Sequence, residues 1–433
     1  MAPRIFIIMA VFQPESAYLA AQIRSLADQT HAECHLVAVI ADTCSEALVA
    51  ATAAAAAPNL PLTLVPSDVP LDAVRAFEAG LSEALNLIDA EGLDEDAALI
   101  ALCDQDDIWH VDRLERGVAA LVASGADLVH SDARLVGPDG TTELHRSMFA
   151  FERRKKKPGL RGLLYRNNIT GMTTLMRPRL VRLALPFPPQ SGVHFYHDLW
   201  LGLLASATGG VHLIDAPLVD YRQHQSNVMG AIDRSRAKGP RWKRPDAMWM
   251  RKEATAYALA RYLGQSTYNR LSDAVTDGRL KHGEAKTAPL RPYLRRMRGM
   301  GIHLRDAFAL GLQGHAGLAR IAAGFAVVSV GRAIWSLREA LGPGLKSAID
   351  AFDTRLYSLS PGMSPRPPQS FSGPAKAPVK HESIIDLRKE PRFVPEFTAP
   401  HAALNILVPT LNPTEIFAGI ATALDIGLGL AVR

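Results

Sequence analysis

Three carboxylates follow directly on an apolar run in this sequence. The run Leu99–Cys103 is long enough for a buried strand, and Asp104, Asp106 and Asp107 come immediately after it. A buried strand that ends in clustered carboxylates is typical of the ligand-binding edge of an open α/β sheet. Asp104 and Asp106 are two residues apart and share a side if the extended backbone continues, whereas Asp107 faces the other way. Carboxylates this close repel one another unless a cation lies among them, and such oxygen ligands suit Mg²⁺ or Mn²⁺.

An acidic turn that caps the next helix is the alternative interpretation of these acids, since Asp is common at such places. The order of elements favours a ligand site, because apolar strands alternate with helices from residue 4 onward. These strands cover residues 4–11, 36–40, 62–65 and 97–103. The alternation predicts a parallel, right-handed βαβ sheet covered on both faces. Phe12, Gln13 and Asp42 also follow strand ends, so the three loops should converge at one edge.

The later chain is less regular and suggests four regions. Further strands are predicted at 128–136, 172–176, 211–214 and 218–221, and helices at 195–207, 246–262, 300–312 and 316–341. We therefore predict an α/β domain over 1–230, a basic helical region over 231–359, a linker rich in Pro and Ser over 360–402, and an apolar strand and helix over 403–433. The last segment is either the start of a second α/β domain or a terminal unit that docks on the body, since about 30 residues cannot bury a core alone.

Composition and charge narrow the class of protein. With 433 residues, 48% hydrophobic and 21% charged, the chain is globular, and a net charge of +5 does not imply nucleic acid. Basic clusters at 153–157, 234–244 and 291–298 suit an anionic membrane surface or substrate, or simply lie in solvated loops. Three cysteines without paired spacing indicate a reducing compartment and no zinc site. We expect a cytoplasmic protein, either free in solution or peripheral at the inner face of the cell membrane.

Five short blocks in a fixed order carry a family resemblance. They are Cys103–Trp109, His130–Asp132, Asn167–Gly171, His197–Trp200 and Tyr221–His224. Together they resemble the inverting family-2 glycosyltransferases of the GT-A fold, especially the rhamnosyltransferase-like branch. The resemblance covers about residues 4–230 and implies a Rossmann-like, mostly parallel sheet followed here by a helical C-terminal region. The segment from residue 404 resembles the start of a GT-B-type rhamnosyltransferase domain.

The resemblance implies a nucleotide diphosphate sugar as donor. A divalent cation stabilises the charge that the diphosphate gains as the glycosidic bond breaks. By resemblance, Asp106 is the direct metal ligand, Asp104 contacts the metal or the ribose, and His224 is a further metal ligand or a diphosphate contact. Asp107 is assigned to sugar hydroxyls or to the surroundings of the metal. Arg222 is assigned to the diphosphate, because a guanidinium matches phosphate oxygens in pairs.

Inversion requires one base, which takes the proton of the acceptor hydroxyl as its oxygen attacks the anomeric carbon. The matching block places Asp198 in this role, in the first turn of an apolar helix. The alternative is that this acid only stabilises the helix N-terminus. The family often has Glu-Asp here, whereas this chain has His197 before Asp198, as in the rhamnosyltransferase-like branch. The residues assigned to the acceptor side are Trp109, Asp132, Asn167, Asn168, Thr170 and His197.

The nucleotide contacts are assigned to loops after the first two strands. Phe12 and Gln13 follow the first strand, and Asp42 lies where the family has an acid that binds the base. The family pattern is Asp-Asp-Gly-Ser, whereas this chain reads Ala-Asp-Thr-Cys over 41–44, which leaves the choice of nucleotide open. Arg75 either reaches the nucleotide from its helix or lies solvated on the helix surface.

Two other enzyme classes are excluded by the loop after the first strand. A nucleotidyltransferase needs a glycine-rich basic phosphate loop there, and a dehydrogenase needs Gly-x-Gly-x-x-Gly. Val11–Pro14 contains neither glycine nor a basic residue. The resemblance to the rhamnosyltransferase-like branch implies a metal-dependent, inverting transferase that moves L-rhamnose from dTDP-rhamnose to a surface polysaccharide or lipid-linked glycan. The alternatives are a UDP-hexose donor and a sugar-nucleotide-binding scaffold without catalysis.

Overall fold

The computed structural model describes residues 2–42, 45–190, 194–224, 230–234, 247–281, 283–294 and 299–341. The predicted linker at 360–402 and the segment at 403–433 lie outside these residues, as do Thr43 and Cys44 of the loop after the second strand.

Nine strands of the described chain form one mixed sheet, in the order β3-β2-β1-β4-β8-β6-β9-β5, with β7 paired to β6. The strands are β1 (Arg4–Val11), β2 (Cys34–Ile40), β3 (Leu62–Pro66), β4 (Ala98–Cys103), β5 (Ile108–Trp109), β6 (Leu128–Val136), β7 (Glu143–His145), β8 (Thr174–Met176) and β9 (Val211–Arg222).

Helices connect and cover these strands. They are α1 (Ser16–Ala27), α2 (Glu46–Ala56), α3 (Ala73–Ala90), α4 (Arg113–Ser124), α5 (Met148–Glu152), α6 (Gly159–Tyr165), α7 (Pro178–Ala184), α8 (His197–Ala207), α9 (Ala247–Thr276), α10 (Arg291–Leu294), α11 (Gly299–Leu312) and α12 (Ala316–Leu341).

The predicted parallel arrangement is confirmed for the first four strands. β1 pairs in parallel with both β2 and β4, and β2 pairs in parallel with β3. β8 departs from the prediction because it runs antiparallel to β4 and β6, which makes the sheet mixed. The carboxyl ends of β1, β2 and β4 therefore meet at one edge, as the sequence predicts.

β9 is one long strand where two short strands are predicted. It pairs in parallel with β6 along its length, and the register shifts where Pro217 lies opposite Asp132. Proline lacks the N–H group that pairs neighbouring strands, so Pro217 favours a prediction of two separate strands. In the structure a β-bulge accommodates this proline within one strand. The continuous strand carries Tyr221 and Arg222 to the same edge as the end of β4.

Alternate side chains of the central strands pack into two layers. Phe6 and Ile8 of β1 lie in a core shared with α3, α6 and α8, whereas Ile5 and Ile7 lie in a core shared with α1 and α4. This period of two is the geometry of a strand buried on both faces. The predicted α/β class is thereby confirmed.

The predicted helical region follows the sheet, and α9 is longer than predicted. Tyr257 of α9 and Phe325 of α12 lie in the core that α3, α6 and α8 share, with ring centroids 5.3 Å apart. The described helices of this region thus pack on one face of the sheet. Among the described helices, none combines the length and apolar character that crossing a bilayer needs.

Gly80 allows α3 to pack closely on the sheet. A Cβ atom at Gly80 would lie 2.3 Å from Ile8 Cγ2 and 2.9 Å from Val39 Cγ2. We expect Gly80→Ala to lower the free energy of unfolding by about 1–3 kcal/mol, because two buried β-branched side chains must shift. Thermal unfolding measures this. Gly311→Ala is the matched control, since a Cβ there meets nothing within 4 Å; equal melting temperatures of the two variants would contradict the prediction.

Candidate active site

The loops that follow β1, β2 and β4 are joined by hydrogen bonds. The Phe12 N–H donates to Gln105 Oε1 at 2.9 Å, and Gln105 Nε2 donates back to the Phe12 carbonyl at 3.0 Å. The Gln13 N–H donates to Asp42 Oδ2 at 2.6 Å, with Gln13 in the left-handed region at φ 44°. The predicted convergence of the three loops is confirmed.

Asp42 organises the loop after β2. It is buried, and its carboxylate accepts hydrogen bonds from the Ser45 N–H at 2.7 Å and the Ser45 hydroxyl at 2.6 Å, besides that from Gln13. These bonds show Asp42 holding two loops together. Its contact with the nucleotide base stays a prediction.

The three acids after β4 lie in an environment that disfavours three negative charges. Burial, together with the nearby charges of Asp106 and Asp198, raises the pKa of Asp104 to about 7. Burial also raises the pKa of Asp107 well above its usual value. Since like charges and desolvation both oppose ionisation, a bound cation would lower these pKa values. The electrostatics of this edge therefore fit a cation.

Asp107 is buried, whereas the other two acids are partly accessible. Its Oδ1 accepts a hydrogen bond from the Arg222 N–H at 3.1 Å, and its Oδ2 is buried without a hydrogen-bond partner in the described part of the chain. The residue is 0% exposed. This placement favours a role in fixing β9 over the predicted contact with sugar hydroxyls.

Polar contacts connect the end of β9 to the loop that carries the three acids. His224 Nε2 lies 2.9 Å from Asp106 Oδ2, and both side chains are partly accessible. Arg222 Nε donates to the Asp106 carbonyl at 2.7 Å, and Arg222 Nη1 donates to the Pro138 carbonyl at 2.7 Å. The predicted metal ligands Asp106 and His224 are therefore neighbours, and Arg222 holds the loop that bears Asp106.

Tyr18 contacts the end of β9 and was not among the predicted site residues. The Arg222 guanidinium carbon lies 4.3 Å from the centroid of the Tyr18 ring, and the His224 ring lies 5.2 Å from it. The sequence places Tyr18 on the apolar face of α1, because its helical spacing is that of a core residue. Only the folded contacts show that it lies beside the acids.

The acids meet the common requirements of Mg²⁺, which usually binds one or two carboxylates together with substrate phosphates rather than a complete protein cage. Within the described residues, no three His, Cys, Asp or Glu side chains are arranged to hold a metal by themselves. A cation at this edge would therefore need ligands from outside these side chains, such as the diphosphate of a donor.

Asp198 lies in the first turn of α8, and its charge raises the pKa of Asp104. Asp198 Oδ1 accepts hydrogen bonds from Asn167 Nδ2 at 3.0 Å and from the Leu199 N–H at 2.6 Å. Burial raises the pKa of Asp198 to about 6, although these two donors and the charge of Arg154 oppose the shift. A carboxylate with this pKa is ionised at neutral pH and still basic enough to accept a proton, which is what a general base requires.

The loop after α6 carries three of the predicted acceptor residues, and each makes a different hydrogen bond. Asn167 orients Asp198, as its hydrogen bond shows. Thr170 Oγ1 accepts a hydrogen bond from Arg154 Nη1 at 2.7 Å, beside the same carboxylate. Asn168 is buried, and its Nδ2 donates to the Lys155 carbonyl at 2.6 Å. Arg154 was missed by the sequence analysis because it lies within a run of five basic residues.

Four other predicted residues lie in positions that favour structural roles. His197 is buried, with its ring centroid 3.9 Å from that of Phe77. Trp109 is 3% exposed, with the Arg113 guanidinium 3.4 Å from its ring centroid. Asp132 accepts hydrogen bonds from the Phe149 and Ala133 N–H groups and the Ser147 hydroxyl, and the exposed Arg75 pairs with Glu78. Their predicted ligand contacts stay predictions.

Comparison with known proteins finds one family model that matches part of this chain. The family model described as Glycosyl transferase family 2 matches residues 6–182, which include the three acids and end before Asp198. No curated protein matches the chain. Among solved structures, it is similar to S. aureus TarS residues 1–349 in complex with UDP-GlcNAc, at 15% identity and a TM-score of 0.40 over 74% of this chain and 90% of that one.

Two further structures of the same protein give similar values. TarS 1–349 in complex with UDP is 13% identical, with a TM-score of 0.41 over 74% of this chain and 90% of that one. A longer S. aureus TarS structure is 13% identical, with a TM-score of 0.39 over 75% of this chain and 55% of that one. The match to the glycosyl transferase family 2 model therefore covers residues 6–182 of this chain.

Proposed function

We propose that this chain is a metal-dependent, inverting glycosyltransferase that moves a sugar from a nucleotide diphosphate to a glycan or lipid-linked acceptor of a cell-surface polysaccharide. The proposal is supported by the contact between Asp106 and His224 at 2.9 Å, and by the charge of Asp198, which raises the pKa of Asp104 in the same loop as Asp106. These residues would bring donor and acceptor together.

The roles follow from these positions. Asp104, Asp106 and His224 would hold Mg²⁺ or Mn²⁺, and the cation would stabilise the negative charge of the leaving diphosphate. Asp198 takes the proton of the acceptor hydroxyl while its oxygen bonds to the anomeric carbon and the bond from that carbon to the diphosphate oxygen breaks. Because attack and departure occur on opposite faces of the carbon, the configuration inverts.

The donor is identified by a binding screen. We propose dTDP-rhamnose as donor, on the resemblance of the five blocks to the rhamnosyltransferase-like branch. Thermal unfolding with dTDP-rhamnose, UDP-glucose and UDP-GlcNAc, each with and without Mn²⁺, tests this, since a ligand at 100 times its Kd adds about 2.7 kcal/mol of stability. The largest Mn²⁺-dependent shift should come from dTDP-rhamnose. A larger shift with a UDP-sugar would reassign the donor, and no shift with any of them would contradict a nucleotide-sugar enzyme.

Transfer should depend on pH through Asp198. Since the ionised form is the base, we expect kcat/KM to fall as the pH decreases below about 6. Asn167 donates to the ionised carboxylate and lowers its pKa, so Asn167→Ala should move this limb of the profile to higher pH by roughly half a unit to one unit. Asn86→Ala, at an exposed Asn bonded to Glu83 on α3, is the matched control. Superimposable profiles for Asn167→Ala and wild type would contradict this role of Asn167.

The proposed contact with a membrane is assigned to α11. Met300, Leu304, Phe308 and Leu312 recur every four residues, and their exposed fractions are 45%, 50%, 70% and 76%. The spacing forms one apolar ridge on the helix, and the basic cluster at 291–298 precedes it. Such a helix suits the interface of an anionic bilayer, where a lipid-linked acceptor would lie.

Vesicle binding measures this contact. Because burial of a Leu or Phe side chain contributes about 1.5–3 kcal/mol, we expect the double variant Leu304→Glu/Phe308→Glu to bind anionic vesicles at least about tenfold more weakly than wild type. Val122→Glu is the control, since Val122 is 70% exposed on α4. Binding that is the same in both variants, or is unchanged between low and high salt, would count against the contact.

A further inference from the structure

A cavity of about 400 Å³ lies away from the acids, between β6, β9, α6 and the end of α8. Its polar lining consists of His130, Lys156, Lys157, Asn168, Ser206 and His212. None of the proposed metal, diphosphate or base residues lines it. The cavity is therefore separate from the proposed donor site, although both lie in the α/β part of the chain.

Two buried polar atoms in the lining residues lack partners. Among the described residues, neither His130 Nδ1 nor Asn168 Oδ1 has a hydrogen-bond partner, and the two residues are only 2% and 3% exposed. Burial lowers the pKa of His130 to about 3, so its ring is neutral and offers one donor and one acceptor. Buried polar groups are nearly always paired, so these two indicate a missing hydrogen-bonding group such as a ligand hydroxyl.

The remaining lining combines positive charge with apolar surface. Lys156 and Lys157 are exposed at its rim, and no Asp or Glu is among the residues that line the cavity. Lys156 also pairs with the exposed Asp215. Leu160 and Leu163 of α6 supply apolar walls. Lysines at the rim suit a phosphate, apolar walls suit the face of a sugar ring, and the buried polar atoms suit its hydroxyls.

The cavity is connected to Asp198 by short covalent and hydrogen-bonded paths. Asn168 lines the cavity, and the adjacent Asn167 donates to Asp198. Arg154 Nη1 donates both to the Asn168 carbonyl at 3.2 Å and to Thr170 Oγ1. Ser206 lies eight residues beyond Asp198 on α8, which is about 12 Å along a helix. A ligand that engages the basic loop and Asn168 would therefore act on the loop that orients Asp198.

We propose that this cavity is a binding site for a phosphorylated sugar, with the phosphate at Lys156 and Lys157 and the ring hydroxyls at His130 and Asn168. The binding stands independently of the proposed function, whereas its effect on transfer rests on that function. The phosphorylated sugar is either a unit of the acceptor or a free effector, and both present the same chemistry to the cavity.

Calorimetric titration of the full chain tests the site with two probes, glucose 1-phosphate and inorganic phosphate. Glucose 1-phosphate should bind wild type more tightly, because its ring hydroxyls can form hydrogen bonds that inorganic phosphate lacks. The variant Lys156→Gln/Lys157→Gln should bind it at least about tenfold more weakly, as expected for loss of charged hydrogen bonds. Lys155→Gln is the matched control, since Lys155 lies in the same basic run but not in the lining. Absence of binding to wild type, or equal binding by the double variant, overturns the proposal.

Two further measurements separate this site from the donor site and identify the source of the ligand. Binding of a nucleoside diphosphate with Mn²⁺ should be the same in wild type and the double variant; loss of both ligands together would overturn the separation of the sites. In transfer assays, glucose 1-phosphate that raises only the KM of the acceptor indicates an acceptor unit, and a change in kcat indicates a free effector. Binding with neither kinetic effect overturns the coupling to Asp198. If wild type shows no transfer, the proposed function fails while the titration still decides the cavity.

Discussion

Asp198→Asn should bind the donor as tightly as wild type and transfer the sugar about 10²–10⁴ times more slowly, the range that general acid–base catalysis supplies. The amide has the shape of the carboxylate and keeps one oxygen that can accept from Asn167 or Leu199, so the start of α8 should fold as before. What it loses is the ability to take the acceptor proton, because an amide is not a base at neutral pH. A loss confined to kcat is therefore the signature of the proposed role.

The competing interpretation is that Asp198 merely stabilises the N-terminus of α8. That role contributes about 0.3–1 kcal/mol of stability and leaves turnover intact. Asp112 precedes the first turn of α4 and makes no capping hydrogen bond, so Asp112→Asn is the matched control for a helix-terminal acid. Steady-state kinetics and thermal unfolding of both variants decide between the roles. Normal turnover by Asp198→Asn would remove Asp198 from the position of base.

The parallel strands of the sheet are predicted well from the sequence, because short runs of neighbouring residues are enough to identify them. Strands such as Ile5–Val11 are apolar on both faces, and alternation with helices leaves few possible connections. The position of Asp104, Asp106 and Asp42 at one edge then follows from topology alone. No detailed packing is needed to place residues that come directly after parallel strands.

The sequence does not predict which nearby polar residues are buried, because burial depends on contacts far apart in the chain. Asp107 and Trp109 lie within three residues of Asp106, yet they are buried by β9 and Arg113. The motif alone does not distinguish the buried residues from the accessible ones. A short block therefore locates the site, but the folded contacts decide which of its members reach the cleft.

The same limit explains the missed residues. Tyr18 has the spacing of a core residue, and Arg154 lies in a basic run that resembles a solvated loop. Each acquires its place through a partner more than fifteen residues away, Arg222 for Tyr18 and Thr170 for Arg154. Neither pairing leaves a periodic signal, since hydrogen bonds and ring contacts of this kind depend on the tertiary fold.

Asp106→Asn should abolish the Mn²⁺-dependent part of donor binding. A neutral amide replaces a charged oxygen ligand at the edge where Asp104 already carries a raised pKa. Since a metal contributes several kcal/mol of charge stabilisation, we expect the affinity for the donor with Mn²⁺ to fall roughly a hundredfold. The affinity without metal should change little, because no other proposed nucleotide contact involves this carboxylate.

The test must separate loss of the metal from loss of the contact between Asp106 and His224, whose atoms lie 2.9 Å apart. Thermal unfolding without ligand measures the latter, which should be small because such partly exposed pairs contribute about 0–1 kcal/mol. Asp139→Asn is the matched control, since Asp139 is an exposed acid that caps its own turn. Wild type treated with a chelator should behave like Asp106→Asn, and the control should keep the Mn²⁺-dependent shift. If Asp106→Asn also keeps that shift, Asp106 does not bind the cation, and the metal-dependent mechanism proposed for this edge loses its central residue.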